Sequence, residues 1–243
     1  MAITATPSGS TAERRFYQTT ILLGIVAIML GFARTFLLRP LFPHAHSPPE
    51  LFFYLHGVLF MAWLTLLFTQ ASLIGAGRIA WHRTLGTAAF VMVPVMVVVG
   101  VYGSLLAARR PTGFVDITAP PLEFLTVTLF PLLTFAILAG AALAFRRQPQ
   151  THKRLMLLSL IPLVDVAVAR WPIEPFTSEP NASFWASQFI LVALICWDFA
   201  SRRQLHPATI FGGILVVAEG PLRDVSHTPQ WHAFAQWATG LLG

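Results

Sequence analysis

The sequence predicts an all-α membrane protein: a seven-transmembrane-helix bundle, N-terminus inside and C-terminus outside, with a C-terminal amphipathic helix in the interface. Three observations predict it. Hydrophobic residues make up 56% of the 243 and charged residues 11%, with mean hydropathy +0.68, whereas a soluble domain carries about 25% charged residues. Several apolar stretches reach the roughly 20 residues that cross a bilayer core as helix, and the alternating segments of about 10 residues that mark a transmembrane β-barrel do not occur. The basic residues, finally, cluster at the ends of the apolar runs and mostly on one side.

With the N-terminus inside, the cytoplasmic segments hold ten basic residues: Arg14, Arg15, Arg78, Arg83, Arg146, Arg147, Lys153, Arg154, Arg202 and Arg203. The outer segments hold four, Arg39, Arg109, Arg110 and Arg223, while Arg34 and Arg170 fall within helices. This is the positive-inside pattern. It also accounts for the net charge of +6 and the pI near 10.7, so the charge encodes topology and not a nucleic-acid surface.

Residues 1–15 read as a polar, disordered cytoplasmic tail, 16–222 as the transmembrane domain and 223–243 as the amphipathic tail. The first apolar run is too long for a signal-peptide core and lacks an A-x-A-like site, so it reads as a retained helix. That helix covers about 17–38 and the second about 51–74. The third starts near Thr84 and ends before Arg109 and Arg110. The fourth runs from Pro121, well placed in a first turn, to Phe145. The fifth spans about 152–171 with Thr151 as its N-cap, and the sixth about 183–201. The seventh, at 207–221, would span only about 24 Å at 1.5 Å per residue, and so is a short span or a re-entrant segment. In the tail, Trp231, Phe234, Trp237 and Leu241 recur at helical spacing, as in an interfacial helix. Pro131 and Pro162 are predicted to kink their helices, and the single cysteine, Cys196, reads as a small buried hydrophobe.

Two segments carry the same device. "WHRTLG" at 81–86 and "THKRLM" at 151–156 each set a His and basic residues at the cytoplasmic start of an outward-running helix. His82 and His152 should therefore lie at one depth, as bis-imidazole ligation of one haem b requires. Arg83, Lys153 and Arg154 could then pair with its propionates. The alternative is that both His are interfacial anchors marking the inner side.

A second group lies toward the outer side: Arg34, His56, Glu123, Asp165, Arg170 and Glu219. Ionisable residues inside a span are costly and should face one another. They form either a structural ion pair, with Arg34 or His56 as the partner of Asp165, or the polar floor of an outward-facing pocket for a quinone, a proton, a metal or another ligand. His44 and His46, with His56, offer a weak loop-based metal pattern. "NAS" at 181–183 fits a glycosylation sequon. Walker A, GxSxG, HExxH and EF-hand patterns are absent, which leaves ATP-driven and hydrolase classes without support.

The stretches "LHGVLFMAWLTLLFTQASLI", "GRIAWHRTLG" and "THKRLMLLSLIPLVDVAVARWP" together resemble a family of poorly characterised bacterial multi-pass inner-membrane proteins. In these, an HRxLG helix start is followed by an HKR(L/W)ML start. The resemblance covers roughly residues 50–171 and implies a bacterial inner-membrane location without assigning an activity. A looser similarity is to cytochrome b561-type proteins, in which His residues on core helices hold two haems. His82 and His152 would match one pair, and His56 has no His partner on the fourth helix, so at most one haem is implied. Three functions therefore stand: a binding, transport or accessory-subunit module of a membrane complex; a b-type haem electron carrier using a quinone or partner subunits; and a metal-dependent membrane enzyme at His56.

Overall fold

A computed structural model describes residues 10–42, 51–111, 113–114, 119–176 and 181–242. His44 and His46 lie outside the described residues. Those that are described form helices and turns, with no strand among them. In chain order the helices are α1 (Thr11–Gly31), α2 (Leu51–Gly75), α3 (Ile79–Gly86), α4 (Ala89–Ala108), α5 (Pro121–Ala144), α6 (Pro149–Leu158), α7 (Ile161–Val168), α8 (Ala182–Ser187), α9 (Phe189–Arg202), α10 (Pro207–Leu222) and α11 (Pro229–Gly240). A π-helical turn, Ala33–Leu37, follows α1, and a 3-10 turn, Arg223–His227, joins α10 to α11.

Four segments are long and apolar enough to cross a membrane: Leu51–Gly75, Ile79–Ala108, Pro121–Ala144 and Ala182–Arg202. The other three predicted spans are less apolar or shorter. Helix α1 opens with Glu13, Arg14 and Arg15, α6 and α7 are separate short helices bearing Lys153, Arg154 and Asp165, and α10 has 16 residues.

Several boundaries differ from those the sequence predicts, each for a local reason. The first helix begins at Thr11, inside the stretch expected to be disordered, because the Ser10 side chain accepts from the Glu13 N–H (3.2 Å) and Glu13 sits in the first turn, where an acid favours the helix dipole. The third helix begins at Ile79 and steps at Thr87 and Ala88, which puts His82 within a helix. The fifth starts at Pro149 with Gln148 at the N-cap position, not at Thr151; a proline is pre-organised for a first helical turn. It breaks at Ser159 and Leu160, just before Pro162, whose ring and missing N–H oppose continuous helix. Pro131, by contrast, lies inside an unbroken α5.

Helix α5 is the centre of the bundle, packed against α4, α6, α7, α10 and α11. The main core joins Trp63, Met96, Phe135, Leu158, Leu160 and Leu194, all nearly or fully buried. Helix α1 meets α7 closely at Gly31, where an added Cβ would run into the Ala167 carbonyl. A smaller cluster seats the tail: Trp231 is buried and its Nε1 donates to the Leu122 carbonyl (2.7 Å), while Phe234 and Trp237 stay exposed. Cys196 is exposed, contrary to the buried placement expected of it, because it falls on the outward side of α9, opposite the face that buries Leu191, Leu194 and Asp198. Large apolar side chains such as Leu30, Val91, Val98, Leu133, Phe211 and Ile214 also remain uncovered. A hydrocarbon surround removes the cost of that exposure.

Candidate functional site

The structure brings His82 and His152 together. Their ring centres are 6.4 Å apart with the planes at 80°. Each ring is held by the helix that precedes its own. The Nδ1 of His152 lies 2.8 Å from the Ala142 carbonyl on α5, which accepts its N–H and leaves Nε2 as the free nitrogen. His82 lies against Gln70 on α2. With the Gln70 amide nitrogen turned toward α3 it donates to the His82 carbonyl (3.0 Å) and to Nδ1 (2.5 Å), while its oxygen accepts from the Gly86 N–H (3.0 Å). The ring also faces the main-chain carbonyl of Gln70. Gly86 therefore matters for its backbone, which closes the amide's contacts.

Does this pair fit one metal centre? A metal–imidazole bond of about 2 Å on each side, plus roughly 1 Å from nitrogen to ring centre, gives a centre-to-centre spacing of about 6 Å. The observed spacing agrees, and outer partners that fix the ring orientation are the usual support of ligating His. His152 already presents the ligating tautomer. His82 reaches it when Gln70, or the Gln70 carbonyl, accepts from Nδ1.

The basic residues expected beside the pair are differently engaged. Arg154 is fully buried, with Nε and Nη2 on Asp198 Oδ1 (3.1 and 2.5 Å) and Nη1 on the Gln150 carbonyl and side chain (2.9 and 2.7 Å). Asp198 Oδ2 accepts in turn from the Thr209 hydroxyl (2.6 Å) and the His206 N–H (3.0 Å). Arg154 thus clamps α6 to α9 and α10. Lys153 pairs with Glu13 on α1 and lies over the Tyr17 ring. Arg83 is exposed, one residue beyond His82.

The outer residues separate into distinct contacts. Asp165 and Glu219 share one cation, and it is Arg223, not Arg34 or His56 as the sequence suggests. Glu123 faces His227 (3.3 Å) and His232 (3.8 Å) on the tail. Arg34 lies over Phe42 and Arg170 over Phe32. His56 stacks on Phe60 with ring centres 4.3 Å apart, and its buried Nδ1 has no hydrogen-bond partner among the described residues. No three His, Cys, Asp or Glu side chains gather as a metal-binding group among the described residues.

Sequence reasoning takes Gln70 for an interhelical hydrogen bonder, which it is, without naming His82 as its partner, and it misses Arg223 as a buried cation. The second had a signal: Arg223 follows Glu219 by four residues, the spacing that pairs side chains on a helix. With this geometry the chain belongs to the class of helical proteins whose apolar helices suit a membrane. Comparison with models of protein families, with curated proteins and with solved structures finds no match.

Proposed function

We propose that this chain is a bacterial inner-membrane electron carrier, with seven spans, N-in and C-out, that binds one b-type haem between His82 and His152. The carrying observation is the spacing of the two imidazoles, 6.4 Å with perpendicular planes, together with their anchored Nδ1 edges. A haem bound there would supply a one-electron couple. His152 would hold it through Nε2, which the Nδ1–H bond to the Ala142 carbonyl leaves unprotonated, and His82 would do so once its ring proton moves to Nδ1 and is donated to Gln70, the reverse of the amide bond described above. Arg83, exposed beside His82, would pair with a propionate. Arg154 is not, since its guanidinium is spent on Asp198 and Gln150. The electron partner is a membrane quinone or a neighbouring subunit, and the exposed aromatic residues of α11 suit an interfacial position.

Ligand-field behaviour of the purified protein tests this. Two strong-field imidazoles give a low-spin ferric signal in electron paramagnetic resonance. His82→Ala and His152→Ala should each abolish it, leaving high-spin iron or no haem. A low-spin signal that survives both substitutions contradicts the assignment. The alternative, a binding, transport or accessory module without haem, is favoured by the full engagement of Arg154 and Lys153 in helix-to-helix pairs. It gives a folded, colourless protein that tolerates both substitutions.

A further inference from the structure

Asp165, Glu219 and Arg223 form a cluster that is nearly sealed from solvent, with 2%, 4% and 6% exposure. Asp165 comes from α7, Glu219 from the last turn of α10, and Arg223 from the turn that follows. One guanidinium nitrogen, Nη2, donates to both carboxylates, to Glu219 Oε1 at 2.5 Å and to Asp165 Oδ2. Two carboxylates and one guanidinium leave a net negative charge in a site that water barely reaches. Buried charge of this kind is compensated by a partner or removed by protonation.

Among the described residues, the other cations of the packed elements make contacts of their own. Helix α7 packs on α1, α5 and α8, and α10 packs on α5, α6, α9 and the 3-10 turn. The ionisable groups of α1, namely Glu13, Arg14, Arg15 and Tyr17, lie at its far end, with Glu13 on Lys153. Those of α6 and α9 sit around the Arg154–Asp198 pair at the other end of the bundle. On α5, Glu123 faces His227 and His232, and α8 carries no charge. Arg170, two residues beyond α7, donates to the Val166 carbonyl and lies over the Phe32 ring. Arg223 also lies over the Phe184 ring at 5.4 Å, which favours the cation and does nothing for a second anion, while Glu219 takes a hydrogen bond from the neutral Thr134 side chain.

A further feature points to an occupant. Asp165 Oδ1 is buried and has no hydrogen-bond partner among the described residues. Arg223 Nε is likewise buried without a hydrogen-bond partner among the described residues. An orphan acceptor and an orphan donor in one cluster call for an explanation, and on the acceptor's side a carboxyl proton supplies one.

We propose that Asp165 and Glu219 form a binding site for one exchangeable proton, shared between the two carboxyls and held in place by Arg223. With that proton bound, the cluster is electroneutral: one carboxylate, one carboxylic acid and one guanidinium. Proton uptake converts a carboxylate oxygen into an O–H donor, and release returns the negative charge beside Arg223. Carboxyls of this kind inside membrane domains are the usual stations of proton transfer. The site does not depend on a haem at His82 and His152.

Infrared spectroscopy of the full chain in detergent or lipid reads the proton directly. At neutral pH the wild type should show the carbonyl stretch of one protonated carboxylic acid, shifted down in heavy water. Asp165→Asn and Glu219→Gln should each remove it, because the carboxylate left behind then matches Arg223 charge for charge. Unchanged elution and helix content verify that each variant is folded, and if one fails to fold the other decides the question. Absence of the band in the wild type, including the case in which a metal cation balances the charge, overturns the proposal. So does a band that survives in a folded variant.

Discussion

His206 works as an N-cap only while its imidazole is neutral. Its Nδ1 accepts from the Ala208 N–H (3.1 Å) at the start of α10, and an imidazolium has no lone pair to offer. Burial first, then the Arg154 and Arg202 cations, push its pKa below the ordinary imidazole value. The unfolded chain therefore takes up this proton at a higher pH than the folded chain does. Stability from this group is present above the unfolded value of about 6.5 and is lost as pH falls toward the depressed folded value. Asn caps as well and does not titrate in this range. Thermal unfolding of wild type and His206→Asn between about pH 7.5 and about pH 5.5 should show the wild type losing ground to the variant on acidification. Parallel curves would mean that the ring is protonated or free in the fold.

At the scale of elements, the Arg154–Asp198 pair does the joining. It is fully buried, bidentate in character, and completed by Gln150, Thr209 and the His206 N–H, so α6, α9 and α10 share one polar knot. Removing one partner of such a pair leaves an uncompensated charge and costs about 3–5 kcal/mol. Asp198→Ala should show that loss in detergent unfolding, and Asp198→Asn, which keeps the acceptor oxygen and the shape, a smaller one. A loss within about 1 kcal/mol for Asp198→Ala, the size of an exposed pair, would contradict the burial of Arg154. The helices themselves are largely legible in the sequence, since an apolar run of sufficient length leaves the backbone few other choices in lipid. Boundaries are less so. The start at Thr11 depends on a Ser10 cap before a charged turn, and the break before Pro162 falls where two residues step out of the α-helical ladder.

For the whole molecule, the charges are where sequence reading reaches its limit. The count of basic residues treats each as facing water, yet Arg154 and Arg223 are buried inside ion clusters. Discounting both still leaves the inner side the more basic, so the proposed orientation rests on the residues that remain. That His82 and His152 meet is readable from their parallel positions at the starts of two helices running the same way. That Arg223 and not Arg34 or His56 meets Asp165 is not, because it depends on the path of the chain after α10. The optical spectrum of the protein, purified in mild detergent from haem-replete cells, tests the central claim most directly. Bis-histidine ligation by His82 and His152 requires a reduced-minus-oxidised difference spectrum with a sharp b-type α-band and one haem per chain. A folded, colourless preparation would contradict it and leave the His pair as an interfacial anchor between α3 and α6.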